Sequence, residues 1–163
     1  MTLPPAPADA RGEQSRLIAW NRELKAAHER LRRALRVARE SLDAGDTAAA
    51  RRDLLLYCKG FCAALDGHHT AEDAALFPEL YERHPSLRPI LTKLTQDHEL
   101  IAALLVEFEK AITAAAPPAA LSAHLDGIAA IMESHFAYEE RQLLTTLANL
   151  NLPAEPHTLL GPL

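Results

Sequence analysis

The sequence has no apolar run that approaches the length of a membrane-spanning helix, and its first residues, with three prolines, lack the apolar core of a signal peptide. It is also poor in cysteine, since Cys58 and Cys62 are the only two. Cysteines one helical turn apart on a core-facing side are more often small apolar core residues than a disulfide, and unpaired thiols suit a reducing compartment. We therefore expect a cytoplasmic protein without a membrane contact.

The sequence also lacks an excess of positive charge. Its 17 Lys and Arg residues are outnumbered by 22 Asp and Glu residues, which gives a formal net charge of −5. Binding to nucleic-acid phosphates requires a basic face, so we expect no nucleic-acid partner. Aromatic residues are few, at 5%, whereas alanine and leucine are abundant. This composition is typical of an all-helical bundle, and 163 residues are enough for one domain with a substantial core.

The periodicity of the apolar residues predicts an all-α fold with four long helices. Short connections would make neighbouring helices antiparallel, which gives an up-down-up-down four-helix bundle. We expect Pro78 to kink or end the second helix because proline removes a backbone donor. The predicted segments are a disordered leader over 1–12, a bundle over 13–150 with helices from about Glu13 to Ala44, Thr47 to Arg83, Pro89 to Ala116 and Ala119 to Leu150, and an irregular Pro-rich tail over 151–163.

The run His68-His69-Thr70-Ala71-Glu72-Asp73 places several metal-binding side chains where the second helix should face the core. The apolar stripe Cys58, Phe61, Leu65 advances in steps of three and four, and the same steps lead to His68 and Glu72. Residues four apart on a helix point the same way. A buried carboxylate is costly unless it is paired or binds a metal, so this pair requires a partner.

Each of the other three helices also has one histidine in its apolar stripe. These are His28 in the first, His98 in the third and His135 in the fourth, where Glu139 follows one turn later. Counted from the predicted turns at about 1.5 Å per residue, all four positions lie at one depth to within roughly two turns. The alternative is four unrelated, hydrogen-bonded core histidines, but matching depths favour one shared site in the core.

Imidazoles and carboxylates together inside a helical bundle suit iron, manganese or zinc rather than calcium or magnesium. A single structural zinc ion needs only four ligands in a closed tetrahedron. More than four candidate ligands are present here, and carboxylates can bridge two ions. The pattern therefore favours a dinuclear metal site in the core of the bundle.

With these residues in place, the sequence resembles the hemerythrin-like (HHE cation-binding) family over residues from about 17 to 147. The matching residues are Trp20 and His28, the His68-His69-x-x-Glu72-Asp73 run followed by Leu76-Phe77-Pro78, the Asp97-His98-Glu99 segment, and the run from His135 to Glu140. The resemblance implies a four-helix bundle that holds two Fe ions, bridged by an oxo or hydroxo group when oxidised. It also implies a small partner such as dioxygen, nitric oxide or peroxide.

The resemblance carries the terminal imidazoles onto His28, His68, His98 and His135, and the bridging carboxylates onto Glu72 and either Glu139 or Glu140. The apolar stripe favours Glu139. The sequence departs from the oxygen-carrying hemerythrins on the third helix, where Leu94 and Ala102 stand at the spacing of a second histidine. In this respect the sequence is more similar to the bacterial hemerythrin-like proteins and the iron-sensing domains than to the oxygen carriers. It leaves two interpretations of His69: a boundary residue hydrogen-bonded to Asp73, or the missing metal ligand.

Three functions fit these residues. The first is binding of dioxygen, nitric oxide or peroxide at an open iron position, for storage, sensing or stress defence. The second is a di-iron enzyme that dismutates peroxide, detoxifies nitric oxide or oxidises a small molecule, with Tyr138 as a candidate proton donor. The third is an iron-sensing domain that folds on metal binding. The sequence does not indicate an oligomeric state.

Overall fold

The computed structural model describes the backbone of residues 8–43 and 48–147 and the side chains of residues 22–43, 52, 53 and 55–143. Within these residues all regular structure is helical, which confirms the predicted all-α fold. None of the described helices combines the length and the apolarity that crossing a membrane requires. The side chain of Trp20 and the predicted tail over 151–163 lie outside the described residues.

In the part of the chain that the structure describes, five α-helices and two short helical turns make up four long segments. The second segment consists of α2, a π turn and α3, which follow one another without interruption. The elements are α1 (Ala8–Asp43), α2 (Ala48–Ala71), the π turn (Glu72–Leu76), α3 (Phe77–Arg83), a 3-10 turn (Pro85–Leu87), α4 (Arg88–Thr113) and α5 (Pro118–Leu147).

The first helix begins earlier than the sequence pattern predicted. It starts at Ala8 rather than near Glu13, so residues 8–12 of the predicted disordered leader are helical. Ala8 and Ala10 have the highest helix propensity of any residue type, and Asp9 is favourable near the positive end of the helix dipole. These local preferences favour a helix start at Ala8, although Gly12 costs about 1 kcal/mol in a helix interior.

The predicted disturbance at Pro78 takes the form of a π turn. The backbone N–H of Phe77 donates to the carbonyl oxygen of Glu72, five residues earlier. Proline has no N–H to continue the ladder, and its ring would collide with the preceding turn of a regular α-helix. One wider turn before Pro78 removes that conflict, so the helix continues to Arg83 instead of ending. π turns of this kind occur often at functional sites.

The connection between α4 and α5 is a helix stop made without glycine. Ala115 has a φ of 51°, and the N–H of Ala116 donates to the carbonyl of Ala111 at 3.0 Å. A left-handed residue followed by this backward hydrogen bond satisfies the last carbonyls of α4. Pro117 cannot extend the helix, and α5 begins at the next residue.

Contacts between side chains give the directions of the helices. As the residue numbers on α1 increase, the residues of α5 that they contact have steadily lower numbers. The contacts between α4 and α5 follow the same pattern. The pairs are His28 with Glu140, Arg32 with Glu133, Arg39 with Asp126, Asp97 with His135 and Phe108 with His124. Both pairs of helices are therefore antiparallel. The π turn after α2 reaches α4 through Asp73 and His98, and α1 also packs on α2.

Among the described side chains, the core consists of two apolar clusters with a polar layer between them. One cluster includes Leu31, Phe61 and Phe108, and the other includes Leu24, Leu80 and Leu91. On α1, Leu24 belongs to one cluster and Leu31 to the other, with His28 between them. The same order repeats on each segment, so the polar layer crosses the whole bundle. Buried apolar surface on both sides provides the stabilisation that this layer does not, about 25 cal/mol per Å².

Candidate metal centre

The seven sequence-predicted ligands lie together in the polar layer. The most exposed of them, His69, has only 5% of its surface accessible. α1 provides one, α2 two, the π turn one, α4 one and α5 two. They are His28, His68, His69, Glu72, His98, His135 and Glu139. Helical spacing accounts for this local arrangement, because His68 and Glu72 are one turn apart on one segment, as are His135 and Glu139 on another.

The ligand atoms form two groups of four. The α1-side group consists of His28, His68, Glu72 and Glu139, and the α4-side group consists of His69, Glu72, His98 and His135. In each group the four candidate atoms lie within 4.8 Å of one another. Glu72 belongs to both groups. The layer therefore contains two adjacent groups that could each hold a cation, and the two groups share one carboxylate.

The two oxygens of Glu72 face different groups. Oε1 lies 2.9 Å from Nε2 of His68, and Oε2 lies 3.3 Å from Nε2 of His98. This is the arrangement in which a carboxylate offers one oxygen to each of two cations. Glu139 also reaches both groups through a single oxygen, since its Oε2 lies 3.0 Å from Nε2 of His28 and 3.8 Å from Nε2 of His135.

Several buried polar atoms in the layer have no hydrogen-bond partner among the described residues. They include Nε2 of His28 and of His69 and both oxygens of Glu72 and Glu139. Imidazole nitrogens lie near these oxygens but are not aligned for hydrogen bonds. Leaving such groups unsatisfied costs about 1–3 kcal/mol each. Their convergence on two small regions fits a pair of bound cations.

The pKa values describe the layer in its metal-free state. Burial disfavours charged imidazole, but the nearby carboxylates of Glu139 and Glu140 raise the pKa of His28 to about 9. Burial has the same effect on His98, and Asp73 and Glu72 outweigh it there, so its pKa is also raised to about 9. The metal-free protein therefore holds protons on these two rings at neutral pH. Those protons must leave before the same nitrogens bind metal.

Against the effect of burial, the charge of Glu72 also raises the pKa of His68, whereas the remaining groups of the layer shift in different directions. Burial and the neighbouring charge of His98 lower the pKa of His135 to about 4 and that of His69 well below its usual range. Burial and the charge of Glu72 raise the pKa of Glu139. Burial would also raise the pKa of Glu72, but the surrounding imidazoles hold it well below its usual value. Glu72 is thus a charged carboxylate at the centre of the layer.

A model of the hemerythrin HHE cation-binding domain matches residues 21–147, which span all four long segments and every residue of the layer. The chain belongs to the hemerythrin HHE cation-binding family. This membership confirms the resemblance predicted from the sequence, and with it cation binding by a helical bundle. A search of curated proteins and a search of solved structures returned no match to the chain.

In this HHE domain, the two sequence interpretations of His69 lead to different contacts. A boundary histidine would hydrogen-bond Asp73, but Asp73 instead pairs with Nδ1 of His98 at 2.8 Å. The ring of His69 stacks on that of His98 with centroids 3.9 Å apart, and its Nε2 belongs to the α4-side group. These contacts favour the interpretation of His69 as a ligand.

Glu140 and Tyr138 lie outside the two groups. Glu140 Oε1 pairs with Nδ1 of His28 at 2.8 Å, on the far side of the ring from Glu139. The ring of Tyr138 packs beneath Lys93 and Arg141 and against the apolar cluster around Leu24. Tyr138 is therefore a packing residue in this structure, and none of its contacts with the described side chains places its hydroxyl in the polar layer.

Sequence reasoning did not single out Phe136. Its ring stacks on that of His28 with centroids 3.9 Å apart and planes inclined by 6°. It also borders the rings of His68, His69 and His135. The available signal was its position four residues after Met132, which puts it on the core face of α5. Phe136 forms an apolar wall against both groups.

Proposed function

We propose that this HHE domain holds two iron ions and binds a small ligand (dioxygen, nitric oxide or peroxide) at an open position of the centre. The observation that carries the proposal is the sharing of Glu72, with one oxygen directed at each group of buried ligand atoms. Mixed imidazole and carboxylate ligands suit iron, and paired iron sites of this composition occur in the cores of helical bundles. Bound iron would supply electrons that can be exchanged with the ligand.

The size of the cavity beside the centre supports a small ligand. A cavity of about 160 Å³ lies between α2 and α4 and is lined by His69, His98, Ala102 and Leu105, among others. Sites for organic substrates commonly measure about 300–1,000 Å³. Residues of the α4-side group form part of this cavity's wall, whereas His28, Glu72 and Glu139 have no exposed surface. The α4 side is therefore the side on which a small ligand would approach.

The test is an anaerobic titration of the metal-free protein with ferrous iron, followed by exposure to dioxygen, nitric oxide and peroxide in turn. We expect two iron ions per chain and the charge-transfer bands of a bridged ferric pair after oxidation. Bands that disappear when the ligand is removed and return when it is added again indicate reversible binding, whereas continued consumption of peroxide or nitric oxide indicates an enzyme. A single iron ion per chain, without these bands, would contradict the di-iron proposal.

His69 is the ligand whose assignment the sequence left open. We expect His69→Ala to leave one iron ion tightly bound and the other weak or absent, because the α4-side group then has three donors instead of four. His124→Ala is the matched control: His124 lies on α5 away from the layer, where its ring contacts Phe108. Iron stoichiometry near two, with unchanged charge-transfer bands in His69→Ala, would make His69 a packing residue.

A further inference from the structure

Three imidazoles of the layer have a carboxylate on the ring nitrogen that points away from the metal centre. Two of these contacts are short and one is longer. They are His28 Nδ1 to Glu140 Oε1 at 2.8 Å, His98 Nδ1 to Asp73 Oδ1 at 2.8 Å, and His135 Nδ1 to Asp97 Oδ2 at 3.5 Å. At 3.5 Å the third is at the limit of a hydrogen bond, so the first two carry the inference.

Each of the two short contacts joins different helical segments. Glu140 on α5 holds His28 on α1, and Asp73 in the π turn holds His98 on α4. A hydrogen bond to Nδ1 fixes the rotation of the ring about its own axis. It therefore directs Nε2 of each ring inward, toward the groups of ligand atoms described above.

The two carboxylates stand outside the layer. The side chain of Asp73 is 37% exposed and that of Glu140 is 21% exposed, whereas those of Glu72 and Glu139 are fully buried. Neither Asp73 nor Glu140 belongs to a group of converging ligand atoms. Their position suits residues that hold a metal-binding histidine in place and do not bind the metal themselves.

We propose that Asp73 and Glu140 are positioning residues of the metal centre, one for each group. Asp73 orients His98 in the α4-side group, and Glu140 orients His28 in the α1-side group. A carboxylate on Nδ1–H selects the tautomer whose Nε2 is free to bind metal and makes that nitrogen a stronger donor. The inference rests on the proposed two-metal centre but assigns roles to residues that are not metal ligands.

The experiment uses zinc as a diamagnetic probe in the metal-free full chain. Zinc is titrated into the parent protein and into Asp73→Ala, Asp73→Asn and Glu140→Ala, and each zinc-loaded protein is examined by NMR for its hydrogen-bonded imidazole Nδ1–H signals. We expect each alanine variant to bind one of the two zinc ions about 10–100-fold more weakly, and to lose the Nδ1–H signal of its own histidine alone. Asparagine still accepts a hydrogen bond, so Asp73→Asn should retain the His98 signal and an intermediate affinity.

Glu99→Gln is the matched control for charge. Glu99 follows His98 and lines the same cavities as Asp73, but it is exposed and makes no hydrogen bond to an imidazole among the described side chains. The Glu99→Gln variant should bind both zinc ions with the parent affinity. Equal affinities in the parent and in both alanine variants would overturn the positioning role. Fewer than two zinc ions in the parent would instead contradict the two-metal centre itself.

Discussion

Loading the protein with iron is expected to raise its thermal unfolding midpoint by about 10 °C or more. Binding to the folded state alone stabilises it by about 4 kcal/mol when free metal exceeds the dissociation constant 1,000-fold. In a domain of this size, 1 kcal/mol shifts the midpoint by about 2–4 °C. The expected gain is large because the bundle buries seven polar side chains in one layer and several of their atoms lack partners. Calorimetry of the metal-free and loaded proteins at one pH measures the shift.

The rise in the unfolding midpoint on iron loading should become larger as the pH increases. The pKa values of His28 and His98 are raised to about 9 in the metal-free fold, above the ordinary 6.5. Their protonated forms therefore stabilise the metal-free protein fully below pH 6.5, and this contribution is lost as the pH rises to 9. Metal binding needs the deprotonated rings, so it becomes stronger over the same range. His69 and His135, whose pKa values are lowered, affect the metal-free protein only as the pH falls below 6.5.

Two results would contradict this prediction. An unchanged midpoint on loading would exclude a centre shared by all four helical segments. A shift that decreases between pH 6.5 and pH 9 would contradict the protonation of His28 and His98 in the metal-free layer.

Glu72→Gln is expected to reduce the metal content from two ions per chain to one or fewer. The substitution keeps the shape of the side chain but removes its charge and one of the two oxygens that face the groups at 2.9 and 3.3 Å. Glu139→Gln should also lower the content, because Glu139 Oε2 is the oxygen near His28 and His135. Metal analysis after dialysis against a weak chelator gives the stoichiometry.

The matched variant is Glu140→Gln, which makes the same change one residue further along α5. Glu140 pairs with the outer nitrogen of His28 and with Arg32, and it belongs to neither group of converging ligand atoms. This variant should therefore still bind two ions at saturation, with weaker affinity for one. The reverse ranking, with Glu140→Gln depleted and Glu139→Gln intact, would move the bridging role to Glu140.

The sequence by itself determined the helical class, the core face of each helix and one histidine of each helix in the polar layer. Apolar stripes with steps of three and four can form only on helices, and a histidine within such a stripe must point into the core. His28, His68, His98 and His135 were identifiable for this reason, as were the acids one turn after two of them. Pro78 likewise predicted a local distortion of the helix, although the sequence could not specify that the distortion would be a π turn.

Only the tertiary structure decided which atoms meet. Helical spacing gives the direction of a side chain but not its neighbour on another helix, nor the rotation of an imidazole ring about its axis. From the sequence, Glu139 and Glu140 were alternatives for one position; in the fold both contact His28, one at each ring nitrogen. Helical spacing predicted Asp73 as a hydrogen-bond partner of His69. Because the π turn packs on α4, Asp73 instead forms its hydrogen bond with His98. The division of the layer into two groups through the oxygens of Glu72 depends on four helices packed at one depth, because each group takes its atoms from at least three of them.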